Sequence, residues 1–129
     1  MNEAEREAFL RQPHTAVLST LGRDGRIHSV PVWYLYADSV FRILTGRGSV
    51  KHKNVQRTGR ATICVDLRDG SLRYVTAEGP VTVADTVTKA ERLALRTHYQ
   101  GPEQAQRIVD QGGHEGMVRL TLTPARWIG

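Results

Sequence analysis

Apolar Ala61, Ile63, Val65 and Leu67 alternate with Thr62, Cys64 and Asp66, the two-residue period of a strand with one buried face. The same period runs from Arg26 to Tyr36. It sets Ile27, Ser29, Pro31, Trp33 and Leu35 on one face and His28, Val30, Val32, Tyr34 and Tyr36 on the other. Pro31 has no N–H to give to a ladder, so this strand is expected at an edge, at a bulge or against a ligand. Thr15 to Leu21, rich in β-formers, precedes it, and Gly22-Arg23-Asp24-Gly25 between them is a hairpin signal. Ala37-Asp38-Ser39 turns the chain into a third strand, Val40 to Thr45, and Arg68-Asp69-Gly70 makes a further hairpin turn after Leu67. Leu72 to Ala84 reads as a long strand with a bulge or sharp bend at Gly79-Pro80, and Met117 to Leu122 as the last strand.

Helical signals separate these runs. Asn2 and Glu5 form a capping box, Ala4, Ala8 and Phe9 give a modest apolar face, and Pro13 ends that helix near Arg11. Ser49 is placed to cap a short helix that starts at Val50 and closes at Thr58-Gly59. Asp85 is expected to cap a helix to about Tyr99, with Val87, Ala90, Ala94 and Thr97 on one side and Leu93 beside them. Gly101-Pro102 breaks it, a second helix turns Ala105, Ile108 and Val109 inward, and Gly112-Gly113 marks a loop. Hairpin turns between most neighbouring strands indicate an antiparallel sheet. Six strands with few helices to cover them predict a mainly β fold, a closed or half-closed barrel with short helices. No repeat or linker interrupts the chain, so residues 1–129 are read as one domain.

The stretch from Thr45 to Asn54 reads Thr-Gly-Arg-Gly-Ser-Val-Lys-His-Lys-Asn. A strand ends in a turn with two glycines and leads into a basic helix, whose unpaired N–H groups and dipole favour an anion. No Asp or Glu lies between Ser39 and Val65, whereas Arg42, Arg47, Lys51, Lys53, Arg57 and Arg60 do. Thr45, Arg47, Ser49 and Lys51 alternate along the turn and are expected to converge on one anion. The spacing is not that of a Walker A loop, and a dinucleotide fingerprint would need a third glycine and a parallel sheet. Spacing alone leaves two readings open: a phosphate nest, or a solvated loop followed by an exposed basic helix face.

Composition narrows the partner. Fifteen Arg and three Lys against 13 acidic residues give a net charge of +5, which favours an anionic ligand. Aromatic content of 6% offers few stacking platforms for single strands, so nucleic acid is the least favoured anion. No apolar run approaches the about 20 residues that span a bilayer, no membrane partner is expected, and the polar, acidic start is no signal peptide; the expected location is cytoplasmic. Cys64 stands alone, and the five histidines show no metal-ligand pairing, so no metal site is expected. Ser19 and Ser29 lack a nucleophile-elbow context, and no acid, base and nucleophile come together. No catalytic side chain is assigned; if the protein is an enzyme, a bound cofactor carries the chemistry.

Several segments carry a family resemblance: Thr15-Ala16-Val17-Leu18-Ser19-Thr20, Gly25 to Trp33, Leu44 to Val55, Arg60 to Asp66 and Tyr74 to Gly79. With their order, they resemble the pyridoxamine 5′-phosphate oxidase superfamily of split β-barrels, which bind flavins and deazaflavins. Within it they are most similar to the actinobacterial F420-dependent oxidoreductases of the B type. The resemblance implies a six-stranded antiparallel split β-barrel. It places a cofactor phosphate at Thr45, Gly46, Arg47, Ser49, Val50 and Lys51, a tricyclic ring along Ser29, Val30, Pro31, Val32 and Trp33, and Tyr74 at the cofactor groove. It implies a homodimer with two interface sites, in line with an apolar second strand that needs covering. It also implies hydride transfer from reduced coenzyme F420 to an unsaturated small molecule such as an enone, a quinone or a tetrapyrrole. The proton would come from solvent or a side chain, with Tyr34, His28 and Tyr74 candidates by type. FMN is the alternative cofactor, and a non-enzymatic F420-binding protein the alternative role. The basic surface suits the acidic tail of F420, and the excess of Arg over Lys fits a GC-rich actinobacterial genome.

Overall fold

The computed structural model describes residues 1–67 and 69–129. Its elements are α1 (Glu3–Leu10), β1 (Ala16–Leu21), β2 (Ile27–Val32), β3 (Leu35–Ala37), β4 (Val40–Gly46) and α2 (Val50–Thr58). They continue with β5 (Arg60–Leu67), β6 (Arg73–Ala84), α3 (Lys89–Gln100), α4 (Pro102–Val109), β7 (Met117–Leu122) and β8 (Arg126–Ile128). All strand pairs are antiparallel, and the sheet runs β2-β1-β5-β6-β7-β4-β3, with β8 added beside β6. The two ends of that path, β2 and β3, are consecutive in the chain. The sheet therefore curls into a barrel whose seam is closed by a covalent link, Trp33-Tyr34, instead of a ladder.

The mainly β, half-barrel expectation holds, but eight described strands replace the expected six. The Arg26 to Tyr36 run is two strands because Tyr34 N–H donates to the Tyr99 hydroxyl at 3.1 Å instead of to a neighbouring strand. Arg126–Ile128, left without an element by its sequence, pairs through Trp127↔Ala77. The face alternation survives the break: Val32, Tyr34 and Tyr36 are buried while Ile27, Ser29 and Pro31 are exposed. Pro31 lies on β2, an edge strand, opposite Val17.

Gly79-Pro80 is a transfer point. β6 pairs with β5 as far as Arg60↔Pro80 and with β7 from Val81↔Leu122 onward. A side chain at position 79 would put its Cβ 2.0 Å from the Thr123 carbonyl oxygen, which explains the glycine. In the turn before β6, Asp69 Oδ1 accepts the Ser71 N–H at 3.0 Å; Arg68, the first residue of that expected turn, lies outside the described residues.

The capping box of α1 forms as expected, but Phe9 and Leu10 are buried while Ala4 and Ala8 are exposed. In α3 the cap is Thr88, whose hydroxyl accepts the Glu91 N–H at 3.0 Å, and Asp85 stays outside the helix. The buried residue of α3 is Leu95; Ala90 and Ala94 are exposed, which corrects the face expected from the alanine spacing. In α4, Ala105 and Val109 are buried. Leu18, Ile43, Ile63, Val65, Val75, Leu120 and Leu122 fill the barrel with Tyr34 and Phe41. Each such aliphatic side chain contributes about 1.5–3 kcal/mol relative to exposure.

Candidate functional site

The turn after β4 is built from local bonds. Ser49 N–H donates to the Gly46 carbonyl at 3.1 Å, and Gly48 takes φ 78, a left-handed value that favours glycine. Gly48 N–H donates to His52 Nδ1 at 2.9 Å, so the buried imidazole closes the turn from inside. Ser49 caps α2 by accepting the His52 N–H, and its hydroxyl lies 3.3 Å from Thr45 Oγ1. Gly59, with φ 70, ends α2.

Asn54, also buried, fixes the other end of α2 to the barrel: its amide donates to Thr20 Oγ1 at 3.0 Å and accepts from Arg57 at 3.3 Å. Arg57 also donates to the Leu21 carbonyl. In the Lys51-His52-Lys53-Asn54 run, then, His52 and Asn54 hold the helix, Lys53 is exposed, and Lys51 is the cation that reaches a cleft.

That cleft, about 320 Å³, opens at the seam of the barrel. Pro31, Val32 and Trp33 line it from the end of β2, Thr45 and Leu44 from β4, Lys51 from α2, and Arg92, Leu95 and Arg96 from α3. Thr15 and Met117 complete the lining. Trp33 stacks on Tyr99 with ring centroids 4.6 Å apart and planes 8° from parallel. The Arg96 guanidinium stands 5.6 Å from the Trp33 ring centroid. The Tyr99 hydroxyl accepts from Tyr34 N–H at 3.1 Å and donates to the His14 carbonyl at 2.6 Å, so the stacked pair is anchored at the break between β2 and β3.

Among the described residues no Asp or Glu lines the cleft, and three cations do. Burial lowers the pKa of Lys51 below the usual lysine value. Burial, and then the charge of Arg92, lower that of Arg96. Thr45 Oγ1 and Ser49 Oγ add neutral hydrogen-bonding groups next to Lys51. Gly46 and Gly48 leave open space where a Cβ would stand. A phosphate fits this donor set, and Trp33 presents a flat surface for a ring system.

Of the residues expected from the sequence, Pro31, Val32, Trp33, Thr45 and Lys51 line the cleft, and Ser49 touches Thr45. Arg47 does not join them. Its guanidinium donates to the Asp85 carbonyl at 2.6 Å, because the turn at Gly46 interrupts the alternation that would have aimed it with its neighbours. Gly46 is exposed in the turn and Val50 is exposed at the start of α2. Ser29 bonds to Ser19 across the outer face at 2.8 Å, and Val30 packs against the core. Tyr74, opposite Asp66 on β6, does not line the cleft.

Tyr34 and His28 do not line it either; Tyr34 is fully buried, and burial raises its hydroxyl pKa well above the usual value. Arg92, Leu95 and Arg96 were not foreseen. Their one sequence signal is the i,i+4 spacing of two arginines, which reads equally well as a solvated helix face. Among the described residues no cluster of His, Cys, Asp and Glu would hold a metal ion, and no helix is long and apolar enough to cross a membrane.

Comparison with known proteins agrees with this architecture. The family model described as pyridoxamine 5′-phosphate oxidase matches residues 3–127. An F420H2-dependent biliverdin reductase of Mycobacterium tuberculosis (strain CDC 1551 / Oshkosh) is 34% identical over 107 residues, covering 79% of this chain and 75% of that protein. The crystal structure of conserved hypothetical protein Rv2991 from Mycobacterium tuberculosis superposes with a TM-score of 0.85 at 26% identity, over 98% of this chain and 82% of that one. A solved structure named F420 reductase shares the fold at a TM-score of 0.81 and 21% identity, over 95% and 94% of the two chains.

Proposed function

The chain belongs to the pyridoxamine 5′-phosphate oxidase family, and from that premise we propose that it is an oxidoreductase using reduced coenzyme F420 to reduce an unsaturated small molecule. One observation carries the reading: Lys51, desolvated and beside Thr45, shares a cleft with the flat face of Trp33. An anionic cofactor with a planar ring system needs both. The relative at 34% identity, named an F420H2-dependent reductase, favours the deazaflavin over FMN.

Bound there, the reduced deazaflavin would supply a hydride equivalent to an electron-poor double bond. Lys51 neutralises one anionic group, with the Thr45 and Ser49 hydroxyls as further donors. Pro31, Val32 and Trp33 form the wall that orients the ring. Tyr99 holds Trp33 in place through the stack and its two backbone bonds. None of Tyr34, His28 and Tyr74 lines the cleft, so in this reading water supplies the proton that completes a reduction.

A homodimer belongs to the same reading. Val17, Leu21 and Ile27 are 41%, 49% and 72% exposed on the outer face of β1 and β2, where Leu21 pairs with Ile27 and Val17 with Pro31. A second copy would cover that apolar strip.

The test is an equilibrium titration with F420 and FMN, followed by an assay of F420H2 oxidation over unsaturated acceptors. Saturable F420 binding with turnover supports the reading. Preference for FMN replaces the cofactor, and F420 binding without turnover on any acceptor replaces the enzyme by a carrier.

A further inference from the structure

Ser49 and His52 start α2 with a variant of the capping box. Ser49 Oγ accepts the His52 N–H at 3.4 Å, and His52 Nδ1 reaches back past it to accept the Gly48 N–H at 2.9 Å. In the ordinary box the returning side chain is Glu or Gln, whose oxygens accept throughout the neutral pH range. Here it is an imidazole, 4% exposed, and only its neutral form has a lone pair to offer. Nδ1 spends that lone pair on Gly48, so Nε2 carries the proton. Nε2 is buried and has no acceptor among the described residues.

Protonation makes both ring nitrogens donors. One then opposes the Gly48 N–H, and the other already lacks an acceptor. The surrounding charges give no relief. α2 carries Lys51, Lys53 and Arg57 but no carboxylate, and β1, on which it packs, has no titratable side chain. β2 brings His28, opposite Thr20, and Arg42 of β4 pairs with Asp38 at 3.4 Å. Arg119 of β7 pairs with Glu91 at 2.9 Å. In the turn itself, Arg47 donates its N–H to the Gly116 carbonyl and its guanidinium to that of Asp85. His114 and Glu115, just before Gly116, pair with each other at 3.8 Å. The positive end of the α2 dipole adds to the repulsion. An imidazolium therefore leaves this place, and the bond that closes the turn at Gly48 goes with it.

We propose that His52 is the positioning residue of the turn between β4 and α2. Its neutral imidazole keeps Thr45, Ser49 and Lys51 together, and its protonation releases them. Affinity for the cofactor is then lost on the acid side, where Lys51 and a phosphodiester both keep their charges. Histidine is the side chain whose ordinary titration falls between pH 5 and 8, so the loss comes within that range. The proposal rests on the reading of this turn as the cofactor's phosphate site.

Two titrations from pH 8 to pH 5 test it, on the wild type, His52→Asn and His52→Leu. The asparagine keeps an acceptor at the Nδ1 position and does not titrate; the leucine keeps bulk and has no acceptor. Without ligand, NMR should show the Nε2–H tautomer of His52 at pH 8. The Gly48 amide should lose its exchange protection in step with protonation of the ring. With F420, wild-type affinity by fluorescence quenching should fall by up to about tenfold per pH unit below that midpoint. Division by the affinity of His52→Asn at each pH removes any titration of F420 itself. At pH 8 His52→Leu should bind about tenfold more weakly than the wild type, and His52→Asn should restore most of that loss.

A Gly48 amide that stays protected while His52 protonates, or a ring that takes up no proton by pH 5, overturns the proposal. So does the same pH dependence in wild type and His52→Asn, or wild-type binding in His52→Leu. Tighter F420 binding at acid pH in the wild type alone also overturns it, since the imidazolium would then hold the anion directly. A wild type that binds no F420 at any pH refutes the cofactor reading separately, because the Gly48 amide is read without ligand.

Discussion

Tyr99 on α3 substitutes for a strand partner of Tyr34: its hydroxyl accepts the Tyr34 N–H at 3.1 Å where the ladder between β2 and β3 is missing. The same hydroxyl donates to the His14 carbonyl, and the ring stacks on Trp33. One side chain thus plugs the barrel seam and sets the wall of the cleft, which couples the stability of the fold to the shape of the site.

Tyr99→Phe keeps the stack and removes the bridge, leaving the Tyr34 N–H without its partner. Stability should fall by about 1–3 kcal/mol, read as a lower urea midpoint with unchanged slope. Ligand affinity should fall with it, since Trp33 loses its anchor. An unchanged midpoint would mean that the seam is held by other contacts.

Asn54→Ala should destabilise the chain by about 1–3 kcal/mol, because it strands the buried Thr20 hydroxyl and removes the side-chain acceptor of Arg57. Equilibrium urea unfolding checks this. Asn54→Asp, which keeps an acceptor for Arg57 but puts a charge where the Thr20 contact was, should lie no closer to wild type.

Gly79→Ala should be far worse than either, because the new Cβ meets backbone at Thr123, which no side-chain rotation relieves. A loss above about 3 kcal/mol, or no folded protein in circular dichroism, is expected. A near-neutral Gly79→Ala would contradict the close approach of the Thr123 carbonyl to β6.

The strands, the helix from Val50 to Thr58 and the glycine turn before it were legible because their causes are local: two-residue alternation, Ser49 as cap, Gly59 in the left-handed region. The elements that were missed have distant causes. The break after Val32 depends on a hydroxyl 65 residues away, and β8 exists only because β6 offers it an edge. The α3 face was misread because Ala90 and Ala94 looked like packing residues, whereas Leu95 is the one that docks. That shift of register is also what brings Arg92 and Arg96 to the cleft, so the arginine side of the cleft had no local signal.

Burial lowers the pKa of Lys51 beneath the 10.5 of a free lysine, which predicts a pH dependence. Between the folded value and 10.5 the unfolded chain binds the extra proton, so this group makes stability rise with pH across that alkaline window. Anion affinity runs the other way, falling as Lys51 loses its charge. In Lys51→Ala the wild-type fall in affinity over that window should disappear.

The central claim is that Lys51 and the Trp33 wall hold a deazaflavin, and fluorescence titration of the wild type and Lys51→Ala with F420 tests it most directly. F420 emission should be quenched saturably by the wild type, with FMN at equal concentration failing to compete. Lys51→Ala should bind at least about tenfold more weakly at an unchanged urea midpoint. Absence of saturable binding to the wild type, or equal affinity in Lys51→Ala, would contradict the account.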